Sequence, residues 1–357
     1  MRRTPARLSM PTSAARTLAL GTVIPAHPLA LTERLTIDIA RQRALTRYYL
    51  DAGAGGIAIG VHATQFEIRD AVHSLFEPVL ALTAEELNTH AASGVVRIAG
   101  VAGPTRQAVR EAETACLLGY DAVLVSPQID DPTPGRLLDR ARAIAQVMPI
   151  IGFYLQPAIG GPVLDRHFWR EFCQIEAVVA IKAAPFDRYR TLELMRGVAE
   201  SGRAHQIALY TGNDDAIIPD LLSEYHLPGP DGPVTLRFVG GLLGQWAIGT
   251  RAAVRMLGLA HRAAAGDDRA RTELNRISTD LLDINQALFD PANNFQGVIP
   301  GVHELLRQQG LLAGTWCLNP AATLSPRQAA EITRVRRTYP HLCDEKFIAE
   351  NLEGWLT

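Results

Sequence analysis

Eight short, apolar, β-rich runs recur along the first 240 residues, at 19–24, 56–60, 95–100, 122–126, 150–154, 178–182, 207–210 and 236–239. Stretches of helical periodicity separate them, at 32–52, 84–92, 105–118, 135–147, 165–175, 187–200 and 216–225. Alternation of this kind means successive βα units. Runs that are apolar on consecutive residues, such as Val178-Val179-Ala180-Ile181, suit strands of a parallel sheet covered on both faces. Eight such units predict an α/β chain whose sheet closes into a (β/α)8 TIM barrel, for which roughly 250 residues is a typical length. The barrel is expected over 16–250, preceded by a loose arm over 1–15. A C-terminal α-helical extension follows over 251–357, with helical patterns at 251–265, 268–289, 302–309, 326–337 and 344–356. The segment 228–233, with three prolines and two glycines, reads as a surface loop.

Composition narrows the function. A net charge of -2 and a pI near 6.6 supply no phosphate-neutralising field, so a nucleic-acid partner is not expected. Cys116, Cys173, Cys317 and Cys343 show no CxxC spacing and are too sparse for a disulfide scaffold; they read as reduced thiols of a cytoplasmic protein. No apolar stretch reaches the length of a membrane span, and no secretory leader is expected at the N-terminus. The glycines between 53 and 60 precede a strand where a dinucleotide fingerprint would follow one, and only His62 and the Asp214-Asp215 pair offer metal ligands near strand ends. No cofactor and no metal are expected. A small molecule is the expected partner.

Of the 35 Lys and Arg residues, only Lys182 and Lys346 are lysines and the other 33 are arginines. A site that keeps lysine in such a chain invites the question of what a guanidinium cannot do there, and one answer is attack on a carbonyl. Lys182 closes an apolar strand, where active sites of these barrels lie. Partial burial there disfavours the ammonium form and leaves a nucleophilic amine. The alternative is a lysine that snorkels to solvent or pairs with Asp187. Tyr154 closes the preceding strand, where a phenol can carry a proton if it is held near the amine; otherwise it is a packed strand-end side chain.

These residues resemble the dihydrodipicolinate synthase/N-acetylneuraminate lyase family of Schiff-base-forming class I aldolases, over about residues 18–250. The family's Tyr-Asn-x-Pro-x-x-x-Gly stretch resembles Tyr154-Leu155-Gln156-Pro157-Ala158-Ile159-Gly160-Gly161, its Gly-x-Lys strand resembles Ala180-Ile181-Lys182, and its Gly-Asp-Asp loop resembles Gly212-Asn213-Asp214. The resemblance implies Lys182 as the Schiff-base lysine, Tyr154 as its proton-transfer partner, pyruvate or another 2-oxo acid as substrate, and a homodimer or homotetramer.

The departures bear on the substrate. The family's carboxylate-gripping loop stands here as Gly60-Val61-His62-Ala63-Thr64-Gln65, so the carboxylate would rest on His62, Thr64 or backbone N–H groups. Gln128 and Ile129 stand where the relay tyrosine of dihydrodipicolinate synthases is expected, and Ile159 where their second-carboxylate arginine is expected. The expected enzyme is therefore a lyase or aldolase other than dihydrodipicolinate synthase, with Gln128, Gln156, Asn213 and Asp214 as further candidate substrate-binding residues. The competing expectation is a catalytically degenerate barrel that binds a small carbonyl or sugar acid.

Overall fold

The computed structural model describes residues 7–357. Its strands are β1 (Val23–Pro25), β2 (Gly56–Ile59), β3 (Val96–Val101), β4 (Ala122–Val125), β5 (Ile150–Leu155), β6 (Val178–Ala184), β7 (Ala208–Thr211), β8 (Tyr225–Gly229), β9 (Gly232–Leu236) and β10 (Gly240–Leu243). Eight of them form one sheet in the order β1-β10-β7-β6-β5-β4-β3-β2. A parallel bridge from Ala26 to Ala58 brings its two ends together, so the sheet is a nearly closed (β/α)8 barrel. All six residues of β5 are buried, as consecutive apolar residues require when a parallel strand is covered on both faces.

The helices between strands start where the sequence supplies oxygen acceptors. Asp38, Thr133, Asp165 and Asp187 each accept a backbone N–H from the first turn of the helix that follows. Asp187 bonds Tyr189 and Arg190 in this way, so it is a helix cap and not the partner of Lys182.

Three expectations need correction. The first strand begins at Val23, because Thr12–Leu20 is a helix that buries Ala14 and Leu18 one turn apart. The last barrel strand is Gly240–Leu243, a few residues later than expected, since 225–236 belong to the antiparallel β8–β9 hairpin. The segment read as a surface loop supplies the turn of that hairpin, with Pro228 opposite Pro233. A two-stranded ribbon has free edges, where a missing N–H is tolerated. Of the expected arm, residues 1–6 lie outside the described residues. Arg7 is tied down through its backbone N–H to the Val147 carbonyl and its guanidinium to Asp121.

Contacts divide the chain into two compact units, 7–22 with 93–242 and 23–92 with 243–357. The first carries β3 to β9, the second β1, β2 and the C-terminal helices. In the second unit, Asp344 accepts from the Tyr48 hydroxyl at 2.8 Å and from the backbone N–H groups of Arg251 and Ala252, which open the helix Thr250–Ala264. Trp355 of the last helix donates its indole N–H to Asp51 at 2.7 Å. No helix among the described residues is long and apolar enough to cross a membrane.

Candidate active site

Lys182 sits in β6, paired laterally with Phe153 of β5 and Tyr210 of β7. Paired residues of neighbouring strands share a face, and successive residues alternate. A Cβ on Gly152 would lie 2.8 Å from the Phe172 ring, which belongs to the covering helix Arg166–Cys173, and 3.3 Å from Ile181. Gly152 and Ile181 therefore face outward. Phe153, Lys182 and Tyr210 face the barrel interior.

Lys182 is 9% exposed. Burial lowers the pKa of its ammonium from 10.5 to about 8, and the field of the Asp214 carboxylate works in the opposite direction. At neutral pH roughly a tenth of such an amine is neutral, against well under a thousandth for a solvated lysine. The ammonium nitrogen lies over the Phe153 ring, 4.5 Å from its centroid. On another side the stem runs so near Gly212 that a Cβ there would come within 2.5 Å of Cε. Gly212 is what lets β7 end beside the lysine.

Tyr154 does not join this group. It pairs with Ala183, one step out of phase with Lys182, so the pleat sends its ring to the helical layer. Its hydroxyl donates to the Leu164 carbonyl at 2.9 Å and accepts the Leu164 N–H at 3.2 Å, and the ring packs 5.3 Å from Trp169. The structure thus does not bring the Tyr154 hydroxyl together with the Lys182 amine. Tyr210 shares the lysine's face, but its hydroxyl donates to the Leu18 carbonyl at 2.8 Å.

The other candidates divide sharply. Asn213 is fully engaged: its carbonyl oxygen accepts the Phe186 N–H, and its amide nitrogen donates to Asp220 at 2.9 Å and Thr191 at 3.3 Å. It organises the loop after β7. Its neighbour Asp214 is half-buried, and its charge favours the Lys182 ammonium. Gln128 donates to the Ile159 carbonyl at 2.8 Å and ties the loop after β4 to the loop after β5. Gln156 is buried, and its backbone carbonyl closes the turn by accepting from Ile159 and Gly161.

His62 and Thr64 belong to the second unit. The Thr64 hydroxyl accepts the Gly60 and Val61 N–H groups at 2.9 and 3.3 Å and donates to the His27 carbonyl at 2.7 Å. Its donor and acceptor capacity is used within the loop. His62 is half-buried, with its ring 5.8 Å from that of Phe66. The next residue in that loop to be fixed by a distant segment is Gln65, whose side-chain oxygen accepts the Leu318 N–H at 2.6 Å.

Two residues of the site were missed from sequence, Phe153 and the steric role of Gly212. The period-two alternation of β5 and β6 carries the signal for Phe153, because residues of equal parity share a face.

Fold and site together define a (β/α)8 barrel with a buried, readily deprotonated lysine on an interior face. The sequence profile of the Dihydrodipicolinate synthetase family matches residues 19–337, and the chain belongs to that family. No curated protein matches the sequence. Among solved structures, the chain resembles dihydrodipicolinate synthase from Aquifex aeolicus at 18% identity and TM-score 0.71, covering 90% of this chain and 99% of that one. N-acetylneuraminate lyase from Fusobacterium nucleatum complexed with pyruvate is similar at 16% identity and TM-score 0.70, with 90% and 98% covered. YagE, a prophage protein of the dihydrodipicolinic acid synthase family from E. coli K12 in complex with pyruvate, is similar at 17% identity and TM-score 0.72, with 90% and 99% covered. At these identities the likeness is one of fold.

Proposed function

We propose that this chain is a Schiff-base-dependent lyase or aldolase acting on pyruvate or another 2-oxo acid, and that it is not a dihydrodipicolinate synthase. The observation that carries this reading is the buried Lys182 amine, with a pKa lowered to about 8 on the interior face of the barrel. The neutral amine attacks the ketone carbon, the carbinolamine hydroxyl takes up a proton and leaves as water, and the remaining protonated iminium accepts the electron pair of a breaking C–C bond or of an α C–H bond whose proton departs.

With the Tyr154 hydroxyl held by Leu164, Asp214 is assigned the proton traffic at the carbinolamine and the substrate. Isoleucine at 129 and 159 supports a substrate other than the second-carboxylate-bearing one of dihydrodipicolinate synthase. A homodimer or homotetramer is part of the same reading.

The engaged hydroxyls of Tyr154, Tyr210 and Thr64 favour a second reading, a barrel that traps a carbonyl compound without turnover. Incubation with aryl- and sugar-derived 2-oxo acids, followed by chromatography for released pyruvate, separates the two. Release that disappears in Lys182→Ala supports the lyase. Adduct formation without release from any substrate supports the binding barrel.

A further inference from the structure

We propose that Phe153 is a catalytic residue: the face of its ring holds the positive charge of the Lys182 nitrogen, first as ammonium and then as the protonated iminium. The iminium half rests on the Schiff-base reading above. The nitrogen lies 4.5 Å from the ring centroid, inside the range of about 6 Å at which an aromatic quadrupole attracts a cation. The ring is 5% exposed, so water screens little of the attraction.

The arrangement is fixed from both sides. Phe153 and Lys182 are register partners in hydrogen-bonded strands, and the close passage over Gly212 confines the lysine stem. Neither neighbouring phenol competes for the charge, since Tyr154 bonds Leu164 and Tyr210 bonds Leu18.

The chemistry favours a ring over a second carboxylate. When the amine condenses with a ketone and water leaves, the same nitrogen keeps one proton and a positive charge shared with the former carbonyl carbon. A carboxylate against that nitrogen would stabilise the charge but also accept its proton, which would quench the electron sink. An aromatic face stabilises the cation and has no basic atom. Asp214 and Phe153 thus divide the work, the first moving protons and the second holding charge.

The chain's two lysines make this directly measurable. Protein labelled with 13Cε-lysine gives two side-chain signals, one from Lys182 and one from Lys346, whose side chain is 90% exposed. Lys346→Arg assigns them.

In variants confirmed as folded by near-ultraviolet circular dichroism, Phe153→Leu and Phe153→Met are expected to move the Lys182 midpoint down by about one unit. Phe153→Tyr keeps it near the wild-type value. At limiting pyruvate and a pH above the midpoint, where the free amine is neutral in wild type and variants alike, the fraction of protein held as the borohydride-trappable pyruvate iminium is expected to fall about tenfold in the two ringless variants. An unchanged midpoint in both ringless variants overturns the proposal. A wild-type protein that forms no pyruvate adduct overturns the Schiff-base reading and the iminium half, while the titration still decides the ammonium half on its own.

Discussion

Lys182 and Asp344 are both buried ionisable groups, and their surroundings could hardly differ more. Asp344 receives three hydrogen-bond donors, the Tyr48 hydroxyl and two N–H groups that open a helix. Lys182 is given an aromatic face, a bare glycine and the field of Asp214. Saturated burial fixes structure, because each partner would be left unsatisfied without it. Burial with little compensation destabilises the charged form and makes the group reactive.

The contrast breaks first at the carboxylate. Asp344→Ala is expected to cost about 3 kcal/mol of folding stability, since it strands Tyr48 and two helix-opening N–H groups. Urea titration measures it, and a loss of a few tenths of a kcal/mol would mean that water replaces the side chain.

The lysine should respond in the opposite direction. Lys182→Met removes a poorly compensated buried charge and is expected to add about 1 to 2 kcal/mol at pH 7. Between about 8 and 10.5 the unfolded lysine holds a proton that the folded one has lost, so wild-type stability should rise with pH across that window. In the variant that rise should vanish, which thermal melts from pH 7 to 10.5 would detect.

Asp214→Asn sharpens the account further. An opposite charge favours the ammonium, so its removal should lower the Lys182 midpoint below about 8, by up to about one unit. The pH dependence of pyruvate adduct formation should move to the acid side with it. No movement would place Asp214 outside the electrostatic environment of the amine.

The smallest effect is expected at Tyr154. Tyr154→Phe should cost about 1 kcal/mol, through the lost bonds to Leu164, and leave the adduct rate within about twofold. A proton relay through this phenol would instead produce a loss of about a hundredfold.

Tyr154 also marks the limit of what the sequence discloses. The parallel barrel was legible because eight apolar runs alternate with helical periods, and Lys182 because it closes one of those runs in an arginine-rich chain. The face on which a strand residue emerges depends on register, and a shift between Ile150 and Ile151 sets the parity that turns Tyr154 away and Phe153 inward. Residue type was equally silent about Thr64 and Asn213. Both are polar residues at strand-end loops, and both turn out to satisfy their own loops, a competition that short polar side chains often win. The helix Thr12–Leu20 was obscured because its short apolar end, Ala19-Leu20, reads together with Val23 and Ile24 as one strand, although Gly21 at positive φ ends the helix between them.

Intact-mass analysis after borohydride treatment with pyruvate, on wild type and Lys182→Ala, tests the central claim most directly. The account predicts one reduced adduct per wild-type chain, mapping to Lys182 and not to Lys346, and none in the folded variant. An adduct that persists in Lys182→Ala, or a folded wild type that forms none with pyruvate or any other 2-oxo acid, would contradict it.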